Sequence, residues 1–376
     1  MAGGSRSQVQ YQAQLHSRVL VPVTAQRSRS QWLVGSTSLR DENELRLLEY
    51  DPEHEALTSV TSWVHPEEVW DAAPCPVATE RVITVHSKGG AYGATLWRAE
   101  PGGAQLEPLA RMEHAGVVRR VVWNALAPEV ALTFEEGALR VWQMGPAAAQ
   151  CVASAPTGGG QRLWGGAAHP KDAGLAAAVA GGGVQLWDVQ NCAKVGEVPA
   201  AHRPAARCVD WAPHHEHRLV SCGDDCKLRF WDTRALGRGE PLLELGGHSH
   251  WVWAARFSPF HDQMLASAST DCTVALWYAP GLARARDAPG AGGGGGGGAQ
   301  GAAAARGDAD GRAALLDEEH EDSADGRAAL LDEEHEDSVY GLAWSAADPW
   351  LLASMSYDGR VVASHVPKNL KYKILL

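Results

Sequence analysis

The chain has 376 residues, 45% of them hydrophobic and 21% charged, and a net charge of −12. This is the balance of an ordinary globular chain, and the acidic charge with no long basic block disfavours direct nucleic-acid binding. No apolar run approaches the roughly 18–20 residues of a membrane-spanning helix, and the opening MAGGSRSQVQ lacks the apolar stretch of a secretory signal. Seven scattered cysteines then fit buried thiols in a reducing, cytoplasmic setting. Fifteen tryptophans stand against four phenylalanines, a bias that a repeat with a fixed tryptophan produces.

Residues 1–10 are polar and are expected to be disordered. Four short alternating runs follow, at Arg18–Val23, Gln31–Gly35, Glu44–Tyr50 and Leu57–Trp63. Alternation at period two marks half-buried strands, and four strands with polar turns make one small sheet. His65 opens a second unit ending on the strand that carries Trp97, and His114 opens a third with Trp142. A fourth, without the histidine, runs from about Arg162 to Pro199 and carries Trp187. The fifth opens at His202 and contains the clearest copy, LVSCGDDCKLRFWDTR, at Leu219–Arg234. Its Gly-Asp-Asp turn between two strand-like runs reads as a hairpin. The sixth opens at His248 and the seventh at His335, the last having lost its tryptophan.

A Trp-Asp ending recurring every 40–45 residues or so is the mark of a propeller blade. Seven such units need roughly 280–315 residues, and about 325 remain once an insert of about 50 is set aside. The insert is rich in glycine and alanine, including Gly292–Gly298, and is expected to be disordered. It also carries a tandem duplication: Ala309–Ser323 is repeated letter for letter at Ala324–Ser338. Only the second copy leads into a strand, so Ala328–Leu331 is expected to close blade six. The division is a disordered start at 1–10, blades one to six over 11–278, an insert at 279–327, and the end of blade six, blade seven and a closing tail at 328–376. The apolar tail Asn369–Leu376 is expected to pair as a strand at the closing blade.

The best copies share His202, Asp225 and Trp231, and His248, Asp271 and Trp277. A histidine, a turn aspartate and a strand-ending tryptophan fit a buried hydrogen-bond network that also takes in a serine. Such a set looks catalytic, but a catalytic set does not recur once per blade, so it is read as structural. The third and fourth copies, with Glu135-Glu136 and Gly181–Gly183 at the turn, are expected to be looser. No phosphate loop, nucleophile elbow or zinc-protease helix is present, and no catalytic, cofactor or metal residue is assigned. A zinc site at Cys222 and Cys226, with Cys208 and His214-His215-Glu216-His217 nearby, is set aside because the cysteines flank a hairpin turn and the histidines fall on a surface loop, so the cysteines are read as buried or semi-exposed thiols.

These residues resemble the WD-repeat β-propeller family. HSHWVWAARFSPFHDQML (His248–Leu265), EHEDSVYGLAWSAADPWLLASMSYDGR (Glu334–Arg360) and the tail NLKYKILL resemble, more narrowly, the branch that works with the EARP and GARP tethering complexes. The resemblance implies an all-β, seven-bladed, non-catalytic adaptor without a cofactor, a monomeric propeller within a larger complex. It further implies peripheral residence at endosomes and the trans-Golgi network without membrane insertion. Its roles there are endosome-to-surface recycling, endosome-to-Golgi traffic and dense-core vesicle cargo sorting.

In this family the residue just after the valine of His-x-x-x-Val faces the mouth of the central channel. That slot holds Trp70, Arg119, Arg207, Trp253 and Tyr340, with Trp164 counted back from Ala168 in the blade that lacks the histidine. Aromatics and arginines dominate binding hot spots. His250 and Trp251 flank the ring, and Glu336-Asp337 is an acidic pair for a partner's arginine. A rival reading rests on Trp231-Asp232-Thr233-Arg234, which is similar to the Trp-Asp-x-Arg motif of cullin-RING ubiquitin ligase substrate receptors. Arg234 is then the adaptor contact.

Overall fold

The computed structural model describes residues 8–103, 105–158, 161–280, 327–332 and 335–375. Within them the chain forms seven four-stranded antiparallel sheets. Six are plain meanders, spanning 17–65, 68–112, 118–156, 163–198, 206–246, and 252–278 with 327–332. The seventh takes three strands from 339–365 and its fourth from the other end of the described chain.

Local sequence explains each position in a blade. Second strands such as Arg218–Gly223, Met264–Ser269 and Leu351–Ser356 are buried at every residue, because each sheet has a neighbouring sheet on both faces. Outer strands are more exposed. Ala149–Pro156 is exposed at every second residue, which leaves one side chain in two facing water. The core lies between blades. Val220 and Phe230 of blade five meet Phe257, Leu265 and Trp277 of blade six, with the two phenylalanine rings 5.9 Å apart, edge to face. Burying each such side chain contributes roughly 1.5–3 kcal/mol. The fit is tight enough to dictate one glycine: a Cβ on Gly166 would sit 2.2 Å from the Phe134 ring.

The strand at Arg327–Asp332 pairs with Val274–Tyr278, with Ala275 opposite Leu330, so the second copy of the duplication closes blade six as its sequence implies. The first copy, Ala309–Ser323, and most of the insert lie outside the described residues.

Two expectations are corrected at the ring's closure. Gln8–Gln12 is a strand, not the end of a disordered segment, and pairs with Arg360–His365 as the outer strand of blade seven. The tail is a helix, Lys368–Leu375, not a strand. Leu370 and Ile374 pack against Leu352, Val366 and Trp350, and Tyr278 Oη donates to Lys373 O at 3.1 Å. The short QVQYQ alternates as an edge strand does. NLKYKILL brings Leu370 and Ile374 together four residues apart, which serves one face of a helix.

Candidate functional site

The recurring residues form the scaffold beneath the site. In blade five Trp231 Nε1 donates to Ser221 Oγ at 2.8 Å. Ser221 Oγ lies 2.7 Å from His202 Nε2, and His202 Nδ1 lies 2.8 Å from Asp225 Oδ1. An ionised carboxylate only accepts, so the imidazole proton sits on Nδ1 and the serine donates to Nε2. Burial pushes the Asp225 carboxyl up, but His202 and Arg229 outweigh it and hold it at about 2. Blade six repeats the chain through Trp277, Ser267, His248 and Asp271.

The third copy keeps part of the network, although His114 Nε2 is buried without a partner. In blade three Glu135 takes the aspartate's place, 3.1 Å from His114 Nδ1, while Trp142 Nε1 donates to Thr133 Oγ1 at 2.8 Å. Its longer side chain reaches the histidine from the strand rather than from the turn. In blade two Thr84 serves both His65 and Trp97. Blade four does lack the network: Trp187 Nε1 is buried without a partner, and Ala178 stands where Ser221 and Ser267 stand in their blades. In blade seven Ser354 and Ser356 hold His335.

Each innermost strand then carries a β-bulge, and the residue left out of register is the same in every blade. These are Arg18, Trp70, Arg119, Trp164, Arg207, Trp253 and Tyr340. A bulge leaves its extra residue unpaired and re-aims its side chain. All seven are half-buried, and they join into one closed circuit. The Arg18 guanidinium lies 5.2 Å from the Trp70 ring, and Trp70 lies 5.9 Å from Tyr92. Arg119 is 5.5 Å from Tyr92 and 5.2 Å from Trp164. Arg207 is 5.4 Å from Trp164 and 4.6 Å from Trp253. Trp253 and Tyr340 are 5.1 Å apart, and Arg18 closes the circle 5.0 Å from Tyr340. Cation–π pairs of this kind contribute roughly 0.5–2 kcal/mol each, so the ring is held in shape before any partner arrives.

All six ring positions read from the sequence are therefore brought together. Sequence reasoning missed Arg18, because blade one has no opening histidine to count from, and Tyr92, which comes from the third strand of blade two, Ala91–Arg98. The start of the SRVLVP strand was the available signal for Arg18. Trp251 joins the rim, 41% exposed and 5.5 Å from the Arg207 guanidinium, and exposed His250 lies beside it with the rings tilted and 5.0 Å apart. Glu336 is on the surface but already engaged by Arg360 at 2.9 Å, and Asp337 accepts from the Ser338 amide at 2.6 Å. Arg234 stands apart from the ring, in a 3-10 helix, Thr233–Arg238. Asp232 caps that helix and holds Arg234 Nη2 at 2.7 Å.

Beneath the ring lies a cavity of about 570 Å³ lined by the innermost strands. Arg120 Nη1 meets Asp71 there at 2.7 Å. Burial raises the Asp210 carboxyl to about 6, against the pull of Arg256.

Seven radially arranged sheets with a buried Trp–Ser/Thr–His network define a WD-repeat β-propeller. The EIPR1 beta-propeller family model matches residues 5–277, and a WD domain, G-beta repeat model matches residues 330–362. The chain belongs to the EIPR1 β-propeller family. It is 32% identical over 377 residues to WD repeat-containing protein DWA2 of Arabidopsis thaliana and 29% identical over 399 residues to EARP and GARP complex-interacting protein 1 of Homo sapiens. In both comparisons 97% of this chain and 98% of the relative are covered. EARP-interacting protein 1 of Caenorhabditis elegans is 30% identical, with 96% of each chain covered. No helix among the described residues is long and apolar enough to cross a membrane.

Proposed function

We propose that this chain is a non-catalytic adaptor that binds the EARP and GARP complexes through the bulged ring and its rim. The observation that carries the reading is the closed circuit of arginines and aromatics at one channel mouth. Preordered aromatics and arginines lose little side-chain freedom on binding, which is the property of hot-spot residues. The choice of complexes rests on the names of the similar human and nematode proteins. Roles in endosomal recycling, endosome-to-Golgi traffic and dense-core vesicle cargo sorting, and peripheral residence at those membranes, follow from that reading.

The test is affinity purification of the tagged chain from cells. Wild type is expected to bring down subunits of both complexes. The double variant Arg207→Ala with Trp253→Ala should lose about tenfold or more of that recovery, given the 2 kcal/mol or more of a hot-spot residue, with an unchanged circular-dichroism spectrum. Arg234→Ala should recover the same subunits as wild type. Recovery of a cullin-RING adaptor that disappears with Arg234→Ala, and of no tethering subunit, would replace this reading with the ligase one.

A further inference from the structure

We propose that the central cavity is a binding site for a small phosphate-bearing anion. Its volume of about 570 Å³ falls within the roughly 300–1,000 Å³ of small-molecule sites. Four arginines line it, Arg18, Arg27, Arg120 and Arg256, against two aspartates, Asp71 and Asp210. A chain of net charge −12 has gathered more arginines than carboxylates around this axial cavity.

The hydrogen bonds there are lopsided in the same sense. Arg256 spends only Nη1, on Cys208 Sγ at 2.7 Å, Ala255 O at 3.2 Å and Val209 O at 3.5 Å. Its Nε–Nη2 edge makes no bond among the described residues. Arg120 likewise spends only Nη1, on Asp71. Arg18 is held by the faces of Trp70, Tyr340 and Tyr357 and has no carboxylate within ion-pair distance among the described residues. Three of the four carboxylate oxygens are already engaged. Asp71 receives Arg120 on Oδ1 and the Val121 amide on Oδ2, and Asp210 receives the Phe257 amide on Oδ2. Unspent guanidinium edges around a space with few unspent acceptors match an oxyanion that accepts on several oxygens, and the planar fork suits phosphate.

Calorimetric titration of the purified full chain with inorganic pyrophosphate, at constant ionic strength, tests this without any protein partner. It therefore succeeds or fails independently of the proposed adaptor role. One saturable site is expected, weakened about tenfold or more by Arg256→Gln, which removes a charged hydrogen-bond donor. Arg18→Gln at the mouth should weaken it similarly, and it decides the matter alone if the buried Arg256→Gln does not fold. Arg234→Ala, outside the cavity, should bind as wild type does. Flotation with phosphatidylcholine vesicles carrying phosphatidic acid separates the sources. Flotation lost in Arg18→Gln identifies a lipid headgroup as the ligand, and pyrophosphate binding without flotation identifies a free phosphate compound. Absence of saturable pyrophosphate binding, or binding that survives Arg18→Gln undiminished, overturns the proposal.

Discussion

In blade four, which also lacks the opening histidine, a single missing hydroxyl leaves a buried indole without a partner. Trp187 Nε1 is orphaned in blade four because Ala178 replaces the serine or threonine that receives the equivalent indole elsewhere. Ala178→Ser should restore an acceptor and raise stability by about 1 kcal/mol, read as a higher denaturation midpoint with an unchanged slope. The reverse change, Ser221→Ala, strands His202 and Trp231 and should cost about 1–3 kcal/mol. Protonation acts at the same scale. Desolvation lowers His65 and His335 from 6.5 to about 4. Between those values the unfolded chain takes up protons that the folded one refuses, so stability falls as pH falls from 6.5 to 4, by about 3 kcal/mol per histidine at full effect. Asp210, raised from 3.8 to about 6, works in the opposite direction and offsets about one of the two. Asp225, held at about 2, withdraws its contribution only below 3.8. Melting temperature should therefore drop across that window, and a level profile would show that the histidines are not buried neutral.

At the scale of strands and blades, the repeat made most of the architecture legible. The tryptophans and histidines numbered the blades, and counting five residues from each histidine found the bulges. Arg18 escaped because its blade has no histidine, and Tyr92 because a hairpin delivers it from outside the counted strand. Glu135 escaped because sequence spacing does not show that a longer side chain one position earlier reaches the same imidazole. The closure was misread for a different reason. A five-residue edge strand such as QVQYQ gains its stability from its neighbour, not from its own propensity. Removing residues 1–12 should leave blade seven with three strands and an open edge on Arg360–His365. The expected result is a lower melting temperature together with self-association. Removing 369–376 takes away a helix that rests on the ring without completing any sheet, and should cost less. Equal losses in the two truncations would mean that the strand does not close the ring.

Taken whole, the described residues form a ring of seven blades with its most distinctive chemistry at the axis. The network residues recur and hold blades. The bulged residues recur in position but vary in identity, and that variation distinguishes this propeller's face from another's. The sequence shows this division once the repeat is aligned. It does not show that seven separate bulges meet as one circuit, since that depends on the radial geometry of the blades. Arg207, gripped by Asp224 at 2.5 and 2.7 Å and placed between Trp164 and Trp253, is where scaffold and face join.

The shared sheet at the closure also fixes an order of events. Gln8–Gln12 leaves the ribosome ahead of every other described strand, yet its partner, Arg360–His365, is the last described strand to be made. Throughout translation the nascent chain carries an edge strand with nowhere to dock, while blades one to six assemble in sequence behind it. The disc thus has no closed form until Arg360–His365 has been made. Any chain cut short before Arg360 is left with an open sheet and a loose strand, each a template for the other in a neighbouring copy.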